Sequence, residues 1–296
     1  MSVLLGPNQA EGLRRMVENN NSRTRIITVT SGKGGVGKSN FALNFAITLA
    51  NLKDNYSQPK RVVLMDADLG LANINILLGI IPKSNLYHVL KGQKKLHEII
   101  IPTNYGVDLI AGASGLSQLA NMSEEERMNI ITGILELNYA DFLIIDTAAG
   151  VSSNVTHFAT IAHETIVVTT PEPTSITDAY GIIKSISLDH STQPSALKLV
   201  VNRARSQSEA EKVAGKLISI SNQFLNVKLE PLGYIPDSLL IPTAVRKQIP
   251  FCILQPTSAP SQSIEQITRK ILNIAPSELQ NAPGWKKFLD YLIGNE

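Results

Sequence analysis

The sequence predicts an α/β fold, a mostly parallel twisted sheet with helices on both faces. Three observations carry this. Short apolar, β-branched runs alternate with longer segments of helical period along most of the 296 residues, the order that builds a parallel sheet through crossover connections. Several of the runs are apolar almost throughout, as strands covered on both faces must be. The loop after the first run is dense in glycine and opens directly onto a helical segment, so strand, turn and helix follow one another as in a βα unit.

Taken in order, strands are expected at 25–31, 61–66, 107–111, 141–146, 165–170, 197–202 and 228–235. Helices are expected at 37–53, 123–138, 153–162, 174–190, 206–223, 238–247 and 261–274. Ahead of them, residues 1–24 are polar and end in Glu18-Asn19-Asn20-Asn21-Ser22, a tail with a linker. The stretch from Pro276 to Pro283 reads as a second linker, before a short last helix at 285–293. The expected division is therefore a tail at 1–24, one domain at 25–275, and a linker with a helix at 276–296.

Composition narrows the function classes. The 43% hydrophobic and 18% charged fractions are ordinary for a globular protein. Lys, Asp, Asn or Pro interrupts each long apolar stretch before it reaches membrane-spanning length. The start, MSVLLGPNQAEG, lacks the basic region and apolar run of a secretory signal. A single cysteine, Cys252, cannot form an internal disulfide and suits a reducing cytoplasm. A net charge of +2 is too small for a nucleic-acid footprint, so no specific nucleic acid is expected. His88, His97, His157, His163 and His190 show no metal-ligand spacing.

The strongest chemical signal is Gly32-Lys33-Gly34-Gly35-Val36-Gly37-Lys38-Ser39, which satisfies G-x-x-x-x-G-K-[ST] between a strand and a helix. Its glycines let backbone N–H groups turn inward around a phosphate chain, and the helix N-terminus adds its positive end. Lys38 is expected to reach the β- and γ-phosphates, and the Ser39 hydroxyl to sit on Mg²⁺. Asn40, next at the helix start, joins the nucleotide-binding set. Two strands end in carboxylates, Asp66 and Asp68 after the second and Asp146 after the fourth. Carboxylates at neighbouring strand ends face the crevice where ligands bind, where they hold Mg²⁺ through water or orient the attacking water. A late strand ends in Asn202-Arg203, and the next in Ile235-Pro236-Asp237. An amide pairs with an adenine edge through its donor and acceptor together.

Lys33, second in the loop, gives the form KGGVGKS. With it the chain resembles the deviant Walker A P-loop NTPases, the MinD/ParA family, and most of all its FlhG (FleN/YlxH) branch. The resemblance covers about residues 25–275 and implies an ATPase that cycles with ATP, ADP and Mg²⁺ between a monomer and an ATP-bound homodimer. It implies that Lys33 reaches across the dimer to the partner's ATP, a cation in trans acting like an arginine finger. On the same resemblance Asp68 positions the attacking water, Asp66 and Asp146 lie at Mg²⁺, and Asn73 lies near the dimer interface. Asn202, Arg203, Pro236 and Asp237 line the adenine. The sequence departs from the usual D-x-P-A-G at Ala148, which stands where the family has proline and is expected to loosen that turn.

The two ends bear on the branch. Asn8-Gln9-Ala10-Glu11-Gly12-Leu13-Arg14 resembles the D-Q-A-x-x-L-R segment with which FlhG proteins stimulate the GTPase FlhF, with Asn8 in place of Asp. Ala10, Leu13 and Val17 share one helical stripe. At the other end Trp285, Phe288, Leu289, Leu292 and Ile293 share one apolar face. That face resembles the family's membrane-targeting helix, and permanent packing on the chain's own domain is the alternative. The implied function is control of flagellar number and placement, with FlhF, basal-body or transcriptional partners, and reversible residence on the inner face of the cell membrane. The rivals are a MinD-type regulator of the septum site and a ParA-type partitioning ATPase. A metal-cluster carrier needs a C-x-x-C pair, which a single cysteine does not supply.

Overall fold

In the computed structural model the described residues are 24–272, without 53–58, 69–71, 113–132, 134–135, 153–154, 157, 160–161 and 189–194. The N-terminal tail motif and the C-terminal helix therefore lie outside the described residues. The sheet has eight strands: β1 Arg25–Ser31, β2 Val62–Ala67, β3 Ile100–Pro102, β4 Val107–Ile110, β5 Phe142–Ala149, β6 Glu164–Thr169, β7 Ala196–Ala204 and β8 Leu229–Pro236. Their order is β3-β4-β2-β5-β1-β6-β7-β8. All pairs are parallel except β3 with β4.

Alternate residues of each strand serve opposite faces, as the pleat requires. Ile27, Val29, Leu64, Ile144, Ile166, Val168 and Val200 belong to one core with the helices α1 Lys38–Asn51 and α8 Ala259–Leu272. Their neighbours Ile26, Val63, Met65, Leu143 and Ile145 point the other way, under α3 Leu86–Leu90. Farther along that second face Val167, Leu199 and Val201 lie under α4 Pro173–Leu188 and α5 Gln207–Leu225. This double burial is why the strands read as continuous apolar runs rather than alternating ones.

The seven expected strands are present, within about three residues at their ends. The periodicity missed β3 and the short helices α2 Ile74–Leu77, α3 and α7 Phe251–Leu254, each too brief to complete a helical or strand repeat. The helix α6 Leu240–Lys247 stands where one was expected. Most of the helix expected at 123–138 lies outside the described residues, and its end, Glu136–Tyr139, is a 3-10 turn. Strand β5 runs on through Ala149, which pairs with Ser31, and Gly150 N–H donates to the Ser31 carbonyl at 2.9 Å. The register with β1 shifts between Val29 and Ser31, so that Thr147 and Ala148 together lie opposite Thr30 in a bulge before the pairing resumes.

The chain departs from β1 to β2 on one side, and later passes from β5 to β6 on the other side of β1. The carboxyl ends of β1, β5 and β6 thus flank a topological switch point, where a crevice opens in sheets of this kind.

Candidate functional site

The glycine loop spans from β1 to α1 above that switch point. Gly35 and Gly37 have φ of 79° and 88°, a region that side chains with a Cβ avoid. At Gly32 a Cβ would lie 1.9 Å from the Asp178 carbonyl oxygen of α4, so only glycine lets that helix pack on the loop. Helix α1 begins at Lys38, with Gly37 as its cap and no side chain on its first N–H groups. An uncapped N-terminus leaves those donors to a ligand, and anions are the ligands they suit.

Lys38, buried, reaches down to the end of β5. Its Nζ lies 2.6 Å from Asp146 Oδ1 and 3.4 Å from Ser39 Oγ. Asp146 is fully buried and pairs in register with Asp66 on β2. Burial pushes the Asp146 carboxyl up, against the pull of Lys38 and Ser39. Its Oδ2 is buried with no hydrogen-bond partner. Burial and the Asp146 charge push Asp66 up to about 6. Two buried carboxylates against one lysine leave excess negative charge and an unused acceptor, a fit for a hard divalent cation with oxygen ligands. Among the described residues no group of three or more His, Cys, Asp or Glu is placed to hold a metal ion, so phosphate and water oxygens have to complete any such shell.

Asp66 is already engaged. Its Oδ1 accepts from Asp68 N–H at 3.1 Å, and its Oδ2 from Asn73 N–H at 2.8 Å and Ile74 N–H at 3.0 Å. It therefore caps the start of α2 and binds the backbone of Asp68 and of Asn73 with the same carboxylate. Asp68 follows directly, half-buried, and its negative charge is felt at Asp146.

Lys33 turns from the loop toward the end of β6. Its Nζ lies 2.9 Å from Glu172 Oε2 and 2.9 Å from Thr174 Oγ1. The ammonium holds Glu172 below the usual carboxylate range. Sequence reasoning missed Glu172 and Thr174, although the rule that selected Asp66 and Asp146 applies to Pro171-Glu172-Pro173, which follows a strand adjacent to β1.

Asn202 closes the other side. It is buried, its Nδ2 donates to the Val36 carbonyl at 2.7 Å, and its Oδ1 accepts from Arg203 N–H at 3.0 Å. Arg203 is exposed, Pro236 is half-buried, and Asp237 is exposed with its N–H on the Ala204 carbonyl at 2.9 Å. Asn40 Oδ1 takes the Asn44 amide at 2.9 Å. The structure thus gathers the loop, Asp66, Asp68, Asp146, Lys33 and Asn202 at one end of the sheet.

The family described as ParA: NUBPL iron-transfer P-loop NTPase matches residues 22–272. The chain belongs to the ParA/MinD family of P-loop NTPases. It is 36% identical to the antiactivator FleN of Pseudomonas aeruginosa, over 83% of this chain and 86% of that one. It is 33% identical to the flagellum site-determining protein YlxH of Helicobacter pylori, over 93% and 91%. The structure resembles the septum site-determining protein MinD of Pyrococcus horikoshii in complex with Mg-ADP, with a TM-score of 0.67 and 25% identity over 86% of this chain and 98% of that one. As a member of this family the chain is a P-loop ATPase that works with ATP and Mg²⁺. The iron-transfer description does not extend to thiol chemistry in this chain, whose single cysteine, Cys252, is half-buried with its thiol pushed up to about 11 by burial.

Proposed function

We propose that this ATPase regulates the number and placement of flagella, switching between a monomer and an ATP-bound homodimer. The observation that carries the switch is the position of Lys33. Its ammonium stands at the exposed rim of the nucleotide loop, paired with Glu172 and Thr174, which are themselves exposed. Exposed ion pairs are weak and readily exchanged. A second protomer's ATP offers a far denser negative charge, so the lysine leaves Glu172 for it and the two copies close on two nucleotides. The flagellar part of the reading rests on likeness to the FleN and YlxH proteins over more than four-fifths of the chain.

In this reading the loop backbone from Gly32 to Ser39 wraps the phosphates and Lys38 moves from Asp146 to their β- and γ-oxygens. The Ser39 hydroxyl and Asp146 would hold Mg²⁺, which would neutralise phosphate charge when bound. Asp66 contributes charge and shapes the segment around Asp68, and Asp68 orients the attacking water. Asn202, Arg203, Pro236 and Asp237 form the base pocket. The tail at 1–24 acts on the GTPase FlhF, and the helix at 285–293 takes the dimer to the inner face of the membrane. Basal-body and transcriptional proteins are further partners of the same reading.

Light scattering with Mg²⁺-ATP tests the switch. Asp68→Ala is expected to dimerise, and Asp68→Ala with Lys33→Ala to bind ATP as a monomer. A monomeric Asp68→Ala protein at saturating ATP overturns the switch. Loss of the gene from its host is expected to change the flagellar count while septa stay in place. Misplaced septa with unchanged flagella overturn the flagellar reading in favour of a septum regulator.

A further inference from the structure

We infer that Asn202 positions the phosphate loop, so that one amide serves both the base and the phosphates. The inference rests on the ATP-site reading above and adds a second task to a residue expected only at adenine. The Nδ2–Val36 hydrogen bond, 2.7 Å long, joins residues 166 apart in sequence, from the end of β7 across β6 to the loop after β1. Both partners are buried, Asn202 at 6% exposure and Val36 at 3%.

Geometry gives the bond its consequence. A trans peptide is planar, and its C=O and N–H point in opposite directions. Pinning the Val36 carbonyl outward onto Asn202 aims the Gly37 N–H inward, into the concavity that the loop's donors line. The amide also packs directly on that peptide, since a Cβ at Gly37 would lie 2.3 Å from Nδ2. The amide itself is held. Its Oδ1 takes the Arg203 N–H, and Arg203 adopts φ of 56°. That left-handed conformation is uncommon for a residue with a side chain and persists where the surroundings impose it. One Nδ2 hydrogen and one Oδ1 lone pair are left over, enough for a base edge. Occupancy of the base pocket and the aim of a phosphate-binding N–H are therefore coupled through a single side chain.

The test uses the full chain and a ligand without a base. Calorimetry compares Mg²⁺-ATP with Mg²⁺-tripolyphosphate on the parent and on Asn202→Ala. The expected result is a loss of roughly 3–10-fold in tripolyphosphate affinity, the worth of one hydrogen bond, and at least as large a loss for ATP. Hydrogen exchange is expected to quicken at the amides of Val36 to Ser39 while those of α8 keep their parent rates. Tripolyphosphate binding that is unchanged while ATP binding falls leaves Asn202 as a base contact and overturns the inference. So do parent exchange rates at Val36 to Ser39 in the variant. A parent that takes up tripolyphosphate but binds ATP no better than GTP sinks the adenine pocket and leaves the brace standing. A parent that binds neither ligand overturns both readings.

Discussion

The two ends of the sheet each carry a buried cluster of charges, and they are built differently. At the carboxyl end Lys38 pairs with Asp146, Asp66 lies beside Asp146 in register, and both carboxylates are fully buried. At the amino end Arg25 and Lys198 face Glu164 and Glu230. Arg25 hydrogen-bonds Glu164 through Nε, forms an ion pair with it through Nη2, and donates from Nη1 to the Ile271 carbonyl at 2.9 Å. An atom without a hydrogen-bond partner occurs at both ends, Asp146 Oδ2 at one and Arg25 Nη2 and Glu164 Oε2 at the other. Lys198 lies 2.7 Å from Glu230 and 3.7 Å from Glu164. The amino-end cluster balances its own charge and ties β1, β6, β7 and β8 to the end of α8. The carboxyl-end cluster does not balance, although one of its two carboxylates, Asp66, also caps the start of α2. Buried charge that is paired serves the fold, whereas buried charge left in surplus marks where a ligand brings the missing cation.

The largest effect expected from this contrast is on catalysis. Lys38→Ala should reduce ATP turnover by on the order of a hundredfold or more, because a donor aimed at developing phosphoryl charge is lost. The variant should lose some stability too, because it strands the buried Asp146, but it should still fold, and a turnover assay beside a melting curve measures both. A variant that unfolds with its activity would make the carboxyl-end lysine structural and erase the contrast.

Next comes the amino end. Arg25→Met should cost about 3–5 kcal/mol of stability, since it strands Glu164 with a more distant lysine. Urea denaturation reads the loss, and ATP affinity of the folded fraction should hold. A loss well under 1 kcal/mol would mean that water reaches Glu164 and that the cluster is not dry.

The smallest effect is a pH dependence. Asp66 titrates at about 6 in the fold against an ordinary value of 3.8. The folded chain keeps a proton that the unfolded chain has released, so this group adds stability at low pH and the addition is lost as pH rises from 3.8 to about 6. Denaturation at several pH values should show that slope in the parent and a shallower one in Asp66→Asn. An unchanged slope in the variant would place the titration elsewhere in the carboxyl-end cluster.

The sequence by itself determined the strand run, the parallel sheet, the phosphate loop and the carboxylates at its rim. Those signals are local: a doubly buried strand must be apolar along its length, and a phosphate loop must have glycine where φ is positive. The readings of the two ends lie outside the described residues and rest on the sequence alone. Tertiary structure alone decided which strands became neighbours, and with them the partners of each charged group. That Glu172 holds Lys33, that Lys38 meets Asp146, and that Asn202 reaches Val36 follow from the order β2-β5-β1-β6-β7. No periodicity records that order. A carboxylate or amide at a strand end looks the same in sequence whether it meets a metal, a nearby backbone N–H or a lysine, and the lysine and carbonyl partners here come from segments more than a hundred residues away.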